Sequence, residues 1–153
     1  MKIFLSAPFT GKVTNIDGAI LPEYRKFIEA ILEDLRTDGG HEVFSALEEE
    51  DWRLTIKAPA IGVSKDLEEI NNADILIAIV DEVPSNGTQF EIGYSVALSK
   101  RVILVKPAGQ DVTFFNSGVI ALDKMTLVQY DSLSNLLAQL TIAVNAPNDD
   151  LTS

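Results

Sequence analysis

Hydrophobic residues recur along the chain in two alternating arrangements, short apolar runs and longer amphipathic stretches. The runs 75–80 and 102–105 are continuously apolar, as is typical of strands buried on both faces of a parallel sheet. Shorter apolar stretches predict three more strands, at residues 2–6, 42–45 and 127–130. Apolar residues at helical spacing predict helices between the strands, over residues 23–37, 61–72, 88–99 and 132–144.

Proline and glycine mark the boundaries of these elements. Pro22 suits the first turn of a helix, and the Gly39-Gly40 pair ends that helix. The acidic segment 47–60 predicts helix pieces interrupted at Pro59. Residues 1–145 are therefore predicted to form one domain, followed by a frayed tail over 146–153.

Strand and helix alternate about five times, which predicts an α/β fold with helices on both faces of a parallel sheet. We expect a flavodoxin-like or Rossmann-like three-layer sandwich with a five-stranded parallel sheet. Ligands bind such folds beyond the carboxyl ends of the strands. The site should therefore lie between the loops 6–11 and 81–87.

The amino-acid composition excludes several kinds of catalytic and metal-binding chemistry. The chain has 153 residues, no cysteine and a single histidine, His41, so thiolate catalysis and clusters of cysteine or histidine ligands are excluded. We expect neither a metal nor a cofactor. A net charge of −11 argues against binding a nucleic-acid polymer but allows one phosphate on helix-start amides. No apolar stretch is long enough for a membrane span or a signal peptide, so a cytoplasmic location is expected.

The segment 81–94 contains the strongest candidate for chemistry, Glu91. Thr88 followed by Glu91 three residues later matches a capping box, in which both side chains only satisfy amides at the helix start. Alternatively, a carboxylate in the first turn faces the ligand crevice, where helix-start amides help to keep it ionised. Such a carboxylate can attack an anomeric carbon. The local sequence leaves both interpretations open.

Three blocks of sequence, in the right order and spanning most of residues 3–106, resemble the nucleoside 2-deoxyribosyltransferase family. The blocks are Gly87-Thr-Gln-Phe-Glu91-Ile-Gly-Tyr94, Lys65-Asp66-Leu67 with Asn72-Ala73-Asp74, and Ile3-Phe-Leu-Ser-Ala-Pro-Phe9-Thr10. The first block is only suggestive by itself. Together they make a specific match.

The resemblance implies a retaining double displacement. Glu91 would attack C1′ of the deoxyribose, expel the base and hold the sugar as an ester. Asp66 would assist proton transfer to the base or orient it, Tyr94 would hydrogen-bond Glu91, and Phe9 would lie against the base or sugar. Each of these three also has a purely structural interpretation, as a solvated carboxylate, a buried tyrosine and a core aromatic residue.

Departures from the family pattern bear on the substrate. The transferases have Asp where Ser85 stands, whereas a serine in the family's 2′-deoxynucleoside 5′-monophosphate hydrolases contacts the phosphate. A hydroxyl there removes a repelling charge and adds a donor. Ser6 and the adjoining Gly87 loop would also face the substrate, although small residues in these places are common in turns. Thr113, or less favourably Ser117, aligns with the residue that a neighbouring subunit lends to the 5′ end.

Other positions fit the hydrolase branch less well or leave its assembly open. The hydrolases' first-loop Arg falls at Phe9, with only Lys12 nearby, which counts against that branch, whereas the transferases' first-strand Tyr is Ile3, which counts in its favour. The resemblance favours hydrolysis of 2′-deoxynucleoside 5′-monophosphates, with two alternatives: deoxyribosyl transfer between bases, or a catalytically silent nucleotide-binding domain. It also implies a homodimer or higher homo-oligomer. Phe114 and Phe115 would suit that contact, or else the domain's own core.

Overall fold

A five-stranded parallel sheet lies at the centre of the computed structural model, which describes residues 1–9, 11–14, 17–54 and 59–147. Its strands are β1 Lys2–Ser6, β2 Glu42–Ser45, β3 Ile75–Ile79, β4 Arg101–Pro107 and β5 Met125–Tyr130. Their order is β2-β1-β3-β4-β5, and every pair is parallel. The predicted flavodoxin-like α/β fold is confirmed.

Helices cover both faces of the sheet. They are α1 Pro22–Glu33, which continues as a π-helical turn Asp34–Asp38, then α2 Ala46–Glu49, α3 Pro59–Asn72, α4 Asn86–Ala97, α5 Phe114–Ile120 and α6 Leu133–Asn145. Ile28 of α1 and Leu136 of α6 pack with Leu5 of β1 in one core. Ile92 of α4 and Phe4 of β1 belong to a second core, shared with α3 and α5. We call these two sides the α1 face and the α4 face.

Three elements differ from the sequence predictions. Pro59 begins α3 and does not interrupt a helix, since proline suits the first helical turn; residues 55–58 of that segment lie outside the described residues. Helix α4 begins at Asn86, two residues before the predicted start. Helix α5 was not predicted. Its first two residues, Phe114 and Phe115, are exposed, so the apolar residues of this helix do not form a single buried stripe.

Arg101, at the start of β4, ties the last helix to the sheet. Its buried guanidinium donates to the carbonyls of Ala143, of Val144 at 3.2 Å and of Ala146 at 3.0 Å. Ala146 is the first residue of the predicted tail and is therefore held in place; residues 148–153 of that tail lie outside the described residues. Within the described part of the chain, no helix is long and apolar enough to cross a membrane.

Candidate active site

Glu91 and Ser6 meet at the carboxyl edge of the sheet, on the α4 face. Ser6 is the last residue of β1 and lies beside Ala78 of β3 in the strand register. Its side chain is buried, and its hydroxyl donates a hydrogen bond to Oε2 of Glu91, 85 residues away in the sequence. One carboxylate oxygen of Glu91 is thus held from the sheet.

The helical position of Glu91 differs from both sequence interpretations. Ser85 is the N-cap residue of α4, so Glu91 falls in the second turn and Thr88 is a buried residue of the first. The predicted capping box is therefore wrong. Second-turn amides are already bonded within the helix, so they do not hold a carboxylate in its ionised form. Burial raises the pKa of Glu91 to about 7, the hydrogen bond from Ser6 opposes this rise, and the charge of Asp66 adds to it.

Asp66 provides a second carboxyl group with a raised pKa. It lies on α3, where burial and then the charge of Glu50 raise its pKa to about 6. Its charge adds to the rise in the pKa of Glu91, so the two carboxyl groups interact electrostatically. Among the described residues, no ion pair includes either group, and no cluster of His, Asp and Glu could hold a metal ion. The site is therefore a pair of carboxyl groups that ionise near neutral pH.

Ser85 and Gly87 form the start of α4 beside this pair. Ser85 is only 8% exposed, yet its hydroxyl makes no capping hydrogen bond to the helix. A methyl group added to Gly87 would lie 3.8 Å from the Ser85 hydroxyl oxygen, in ordinary contact. First-turn amides without a side-chain cap, together with an available hydroxyl, can bind an anion.

Tyr94 and Phe9 have partners other than those suggested for them. The Tyr94 hydroxyl accepts a hydrogen bond from Asn71 at 2.8 Å, and its ring stacks on Phe90 with centroids 6.4 Å apart. The structure therefore turns this hydroxyl toward α3 and not onto Glu91. Phe9 is partly buried and packs against the core of the α1 face.

A family model described as nucleoside 2-deoxyribosyltransferase matches residues 20–148. The chain belongs to the nucleoside 2-deoxyribosyltransferase family. It is accordingly an enzyme of the N-glycosidase or deoxyribosyltransferase kind, acting on small nucleosides or nucleotides.

Solved structures similar to this member of the family include enzymes of both kinds. The solution structure of BlsM is 27% identical, with a TM-score of 0.79, and the match covers 95% of this chain and 94% of that one. A 2-deoxyribosyltransferase from Bacillus psychrosaccharolyticus is 26% identical, with a TM-score of 0.62 and 90% of each chain covered. The CMP N-glycosidase BcmB of Clostridium botulinum is 21% identical, with a TM-score of 0.71 over 93% of this chain and 98% of that chain, and shares the fold. No curated protein matches the chain.

The segment that family resemblance assigns to a neighbouring subunit lies at the start of α5. Thr113 is the N-cap residue, and its hydroxyl accepts a hydrogen bond from the Asn116 amide at 3.1 Å. Phe114 is 96% exposed and Phe115 is 51% exposed. Neither side chain is part of the domain's own core, so the core interpretation of these two residues is wrong.

Proposed function

We propose that this family member cleaves the N-glycosidic bond of 2′-deoxynucleoside 5′-monophosphates, releasing the free base and deoxyribose 5-phosphate. The observation that carries this proposal is the buried Glu91 carboxyl group, which Ser6 holds by a hydrogen bond and whose pKa the charge of Asp66 helps to raise. Two carboxyl groups with separate roles are what retaining glycoside hydrolysis requires.

The reaction divides into two displacements. Ionised Glu91 attacks C1′, the bond between C1′ and the base nitrogen breaks with its electron pair going to the base, and Asp66 supplies a proton to the base. The sugar is then held as an ester of Glu91. Water attacks C1′ in the second step, Asp66 takes its proton, and the carboxylate of Glu91 leaves. The configuration at C1′ is retained after two inversions.

The pKa values of the two carboxyl groups determine which protonation states of the pair are populated. With values of about 6 and about 7, the pair carries a single proton over a range near neutrality. Because Glu91 has the higher pKa, the shared proton lies mainly on Glu91, and the reactive form, with the proton on Asp66 and Glu91 ionised as the nucleophile, is the minor form of the pair. The Ser6 hydroxyl favours this form because it hydrogen-bonds the charged carboxylate of Glu91.

The start of α4 supports a 5′-phosphate on the substrate. Ser85 offers a hydroxyl that has no capping role, beside first-turn amides and the positive end of the helix dipole. An overall charge of −11 makes such local donors necessary for binding a dianion. We further propose that the protein is a homo-oligomer, in which the Thr113 segment of a neighbour completes the phosphate site.

Base release from matched pairs of substrates tests the monophosphate proposal. The protein is incubated with each 2′-deoxynucleoside 5′-monophosphate and with the corresponding 2′-deoxynucleoside, and free base is measured by chromatography. We expect kcat/KM to be at least about 10-fold higher for the monophosphates. Ser85→Ala should remove most of that difference and leave nucleoside cleavage unchanged. An equal or reversed preference in the native protein contradicts the proposal.

The second candidate is deoxyribosyl transfer, which the 26% identical Bacillus transferase favours. Transfer uses the same Glu91 ester but needs a base, not water, in the second displacement. Exchange between a deoxynucleoside and free adenine measures it directly. Exchange faster than hydrolysis would replace the first proposal with this one.

The proposed oligomer has its own test. Light scattering should give a mass of at least two chains of 16.7 kDa each. Phe114→Ser should lower both the mass and the preference for monophosphates, because it changes an exposed ring next to Thr113. A native protein that is monomeric at working concentration contradicts the proposal.

A further inference from the structure

A cavity of about 430 Å³ opens on the α1 face at the carboxyl ends of β3, β4 and β5. Ile79, Pro107 and Tyr130 line its floor, the start of α1 forms one wall, and Gly11-Lys12 lies at its rim. Ile79 packs in the core of the α1 face, whereas Glu91 and Ser6 lie on the α4 face. None of the candidate catalytic residues lines this cavity.

One side of the cavity is a series of stacked aromatic rings. The Tyr24 and Phe27 rings have centroids 6.3 Å apart and are inclined by 20°, and Phe27 and Tyr130 are 5.8 Å apart and inclined by 29°. All three residues line the cavity. A wall of this kind binds a flat ring by stacking, and the volume lies in the usual range for small-molecule sites.

Two polar side chains in the cavity lining contact each other, and they offer a hydrogen-bond acceptor, Asp81, beside a donor, Lys12. Lys12 Nζ lies 2.5 Å from Asp81 Oδ2, and the two side chains are 28% and 29% exposed. Partial burial acts to raise the pKa of Asp81, but hydrogen bonds from Lys12 and from the Glu82 amide outweigh it and hold that pKa below its usual value. Asp81 therefore keeps an oxygen that can accept, and Lys12 keeps two hydrogens that can donate.

This combination selects among ligand classes. A phosphate would meet the carboxylates of Asp81 and Glu23 in the lining, which would repel it. A nucleobase has a flat ring for the aromatic wall. Its edge also has a hydrogen-bond donor next to an acceptor, which matches Asp81 beside Lys12.

We infer that this cavity is a second binding site, for a free nucleobase, with its ring on the Tyr24–Phe27–Tyr130 wall and its edge on the Lys12–Asp81 pair. The inference rests on the proposed function only in that cleavage of an N-glycosidic bond releases a base at the same edge of the sheet. Hydrolysis and transfer both release one. Binding itself requires no turnover.

Equilibrium dialysis with hypoxanthine and uracil as probes tests the site, with indole as a ring that lacks the matching edge. Four variants are compared with the native protein, and thermal unfolding verifies that each is folded. Glu91→Gln disables the candidate catalytic site. Asp81→Ala removes the acceptor, and Leu21→Trp fills the mouth of the cavity from a position that is 38% exposed. Ile142→Trp is the matched control, an exposed residue of α6 that does not line the cavity.

We expect saturable binding of both bases by the native protein, Glu91→Gln and Ile142→Trp, with dissociation constants within about 2-fold of one another. Asp81→Ala and Leu21→Trp should weaken it at least about 10-fold, and indole should bind at least about 10-fold more weakly than the bases. Loss of base binding in Glu91→Gln would place the base in the candidate catalytic site and overturn the inference. Unchanged binding in Leu21→Trp, or no saturable binding up to about 10 mM, would also overturn it. An inactive protein that still shows the expected pattern contradicts only the proposed function.

Discussion

Glu91 and Asp81 are two carboxyl groups at the same edge of the sheet, yet the protein gives them opposite acidities. Burial on the α4 face raises the pKa of Glu91 to about 7, the charge of Asp66 adds to this rise, and the hydrogen bond from the Ser6 hydroxyl opposes it. Asp81 has the ammonium of Lys12 at 2.5 Å, and its pKa is lowered. Burial therefore decides the acidity of Glu91, whereas the hydrogen bond from Lys12 decides that of Asp81.

This difference separates reaction from recognition. A carboxyl group that ionises near neutral pH is present both as a carboxylate, which can attack a sugar carbon, and as an acid, which can supply a proton. A carboxylate fixed by an ammonium group keeps its charge and can only bind a ligand. Each of the following substitutions changes one partner in this comparison.

Glu91→Gln should have the largest effect. The amide keeps the shape and the hydrogen bond from Ser6 but cannot attack C1′, so kcat should fall by 10³-fold or more, about 4 kcal/mol of barrier. Base release measured by chromatography gives the value. Glu82→Gln, an exposed change in the loop after β3, should stay within about 2-fold of the native rate. A Glu91→Gln protein with native activity would exclude Glu91 as the nucleophile.

Asp66→Asn should rank second. In the native enzyme, kcat/KM should be bell-shaped with a maximum between about pH 6 and 7, because the reactive form of the pair carries one proton. The variant should lose about 10²-fold at pH 6.5, and its alkaline limb should disappear. A native profile that rises and stays level above pH 7 would mean that Asp66 orients the base without donating a proton.

Glu91→Gln should also stabilise the protein, but only at higher pH. The folded-state pKa of about 7 lies above the ordinary glutamate value of 4.5, so the folded chain retains a proton that the unfolded chain loses. The free energy of unfolding therefore falls as pH rises from 4.5 through 7, and glutamine removes this loss. We expect a gain of about 1–3 kcal/mol at pH 8 and little change at pH 4 in urea titrations. An equal gain at both pH values would contradict the raised pKa.

Ser6→Ala should act mainly through pH. Removing the hydroxyl leaves burial and the charge of Asp66 unopposed, so the pKa of Glu91 should rise further. We expect about a 10-fold loss of kcat/KM at pH 6 and less than about 2-fold at pH 9, with Ser6→Thr retaining most of the activity. A loss of equal size at every pH would indicate a packing role only.

Lys12→Met should have the smallest effect on the protein, and it should remove the difference between the pKa shifts of Asp81 and Glu91. Without the ammonium, burial should raise the pKa of Asp81, which carboxyl-carbon nuclear magnetic resonance can follow. Because both partners are partly exposed, the free energy of unfolding should fall by only about 0.5–1 kcal/mol. Asp111, an exposed carboxyl group on another loop, is the internal control. An unmoved Asp81 titration would contradict the role of Lys12.

Much of the fold could be predicted from the sequence because continuously apolar strands leave few alternatives. The runs around Ile75 and Val102 could only be central strands, and the bounds of β1 and β2 agree with their predictions. Helix α5 was missed because its exposed Phe114 breaks the periodic pattern on which such predictions depend.

The candidate site was predicted in its residues but not in its contacts. Glu91 and Asp66 were identified through a motif, whereas the hydrogen bond from Ser6, a residue expected to face the substrate, to Glu91 was not predicted. That contact joins residues 85 positions apart, and only the register of β1 against β3 places them together. The Lys12–Asp81 pair likewise depends on the path of the loop before α1, for which no local pattern exists.

Arg101 has a practical consequence for work with this enzyme. A fusion partner or affinity tag joined after Pro147 leaves the guanidinium bonds to Ala143, Val144 and Ala146 intact. Truncation before residue 143 would leave a cation without acceptors at the start of a central strand, at a cost of about 3–5 kcal/mol, a large part of the stability of an ordinary domain. The shortest chain that still folds is therefore expected to end within a few residues of Ala146.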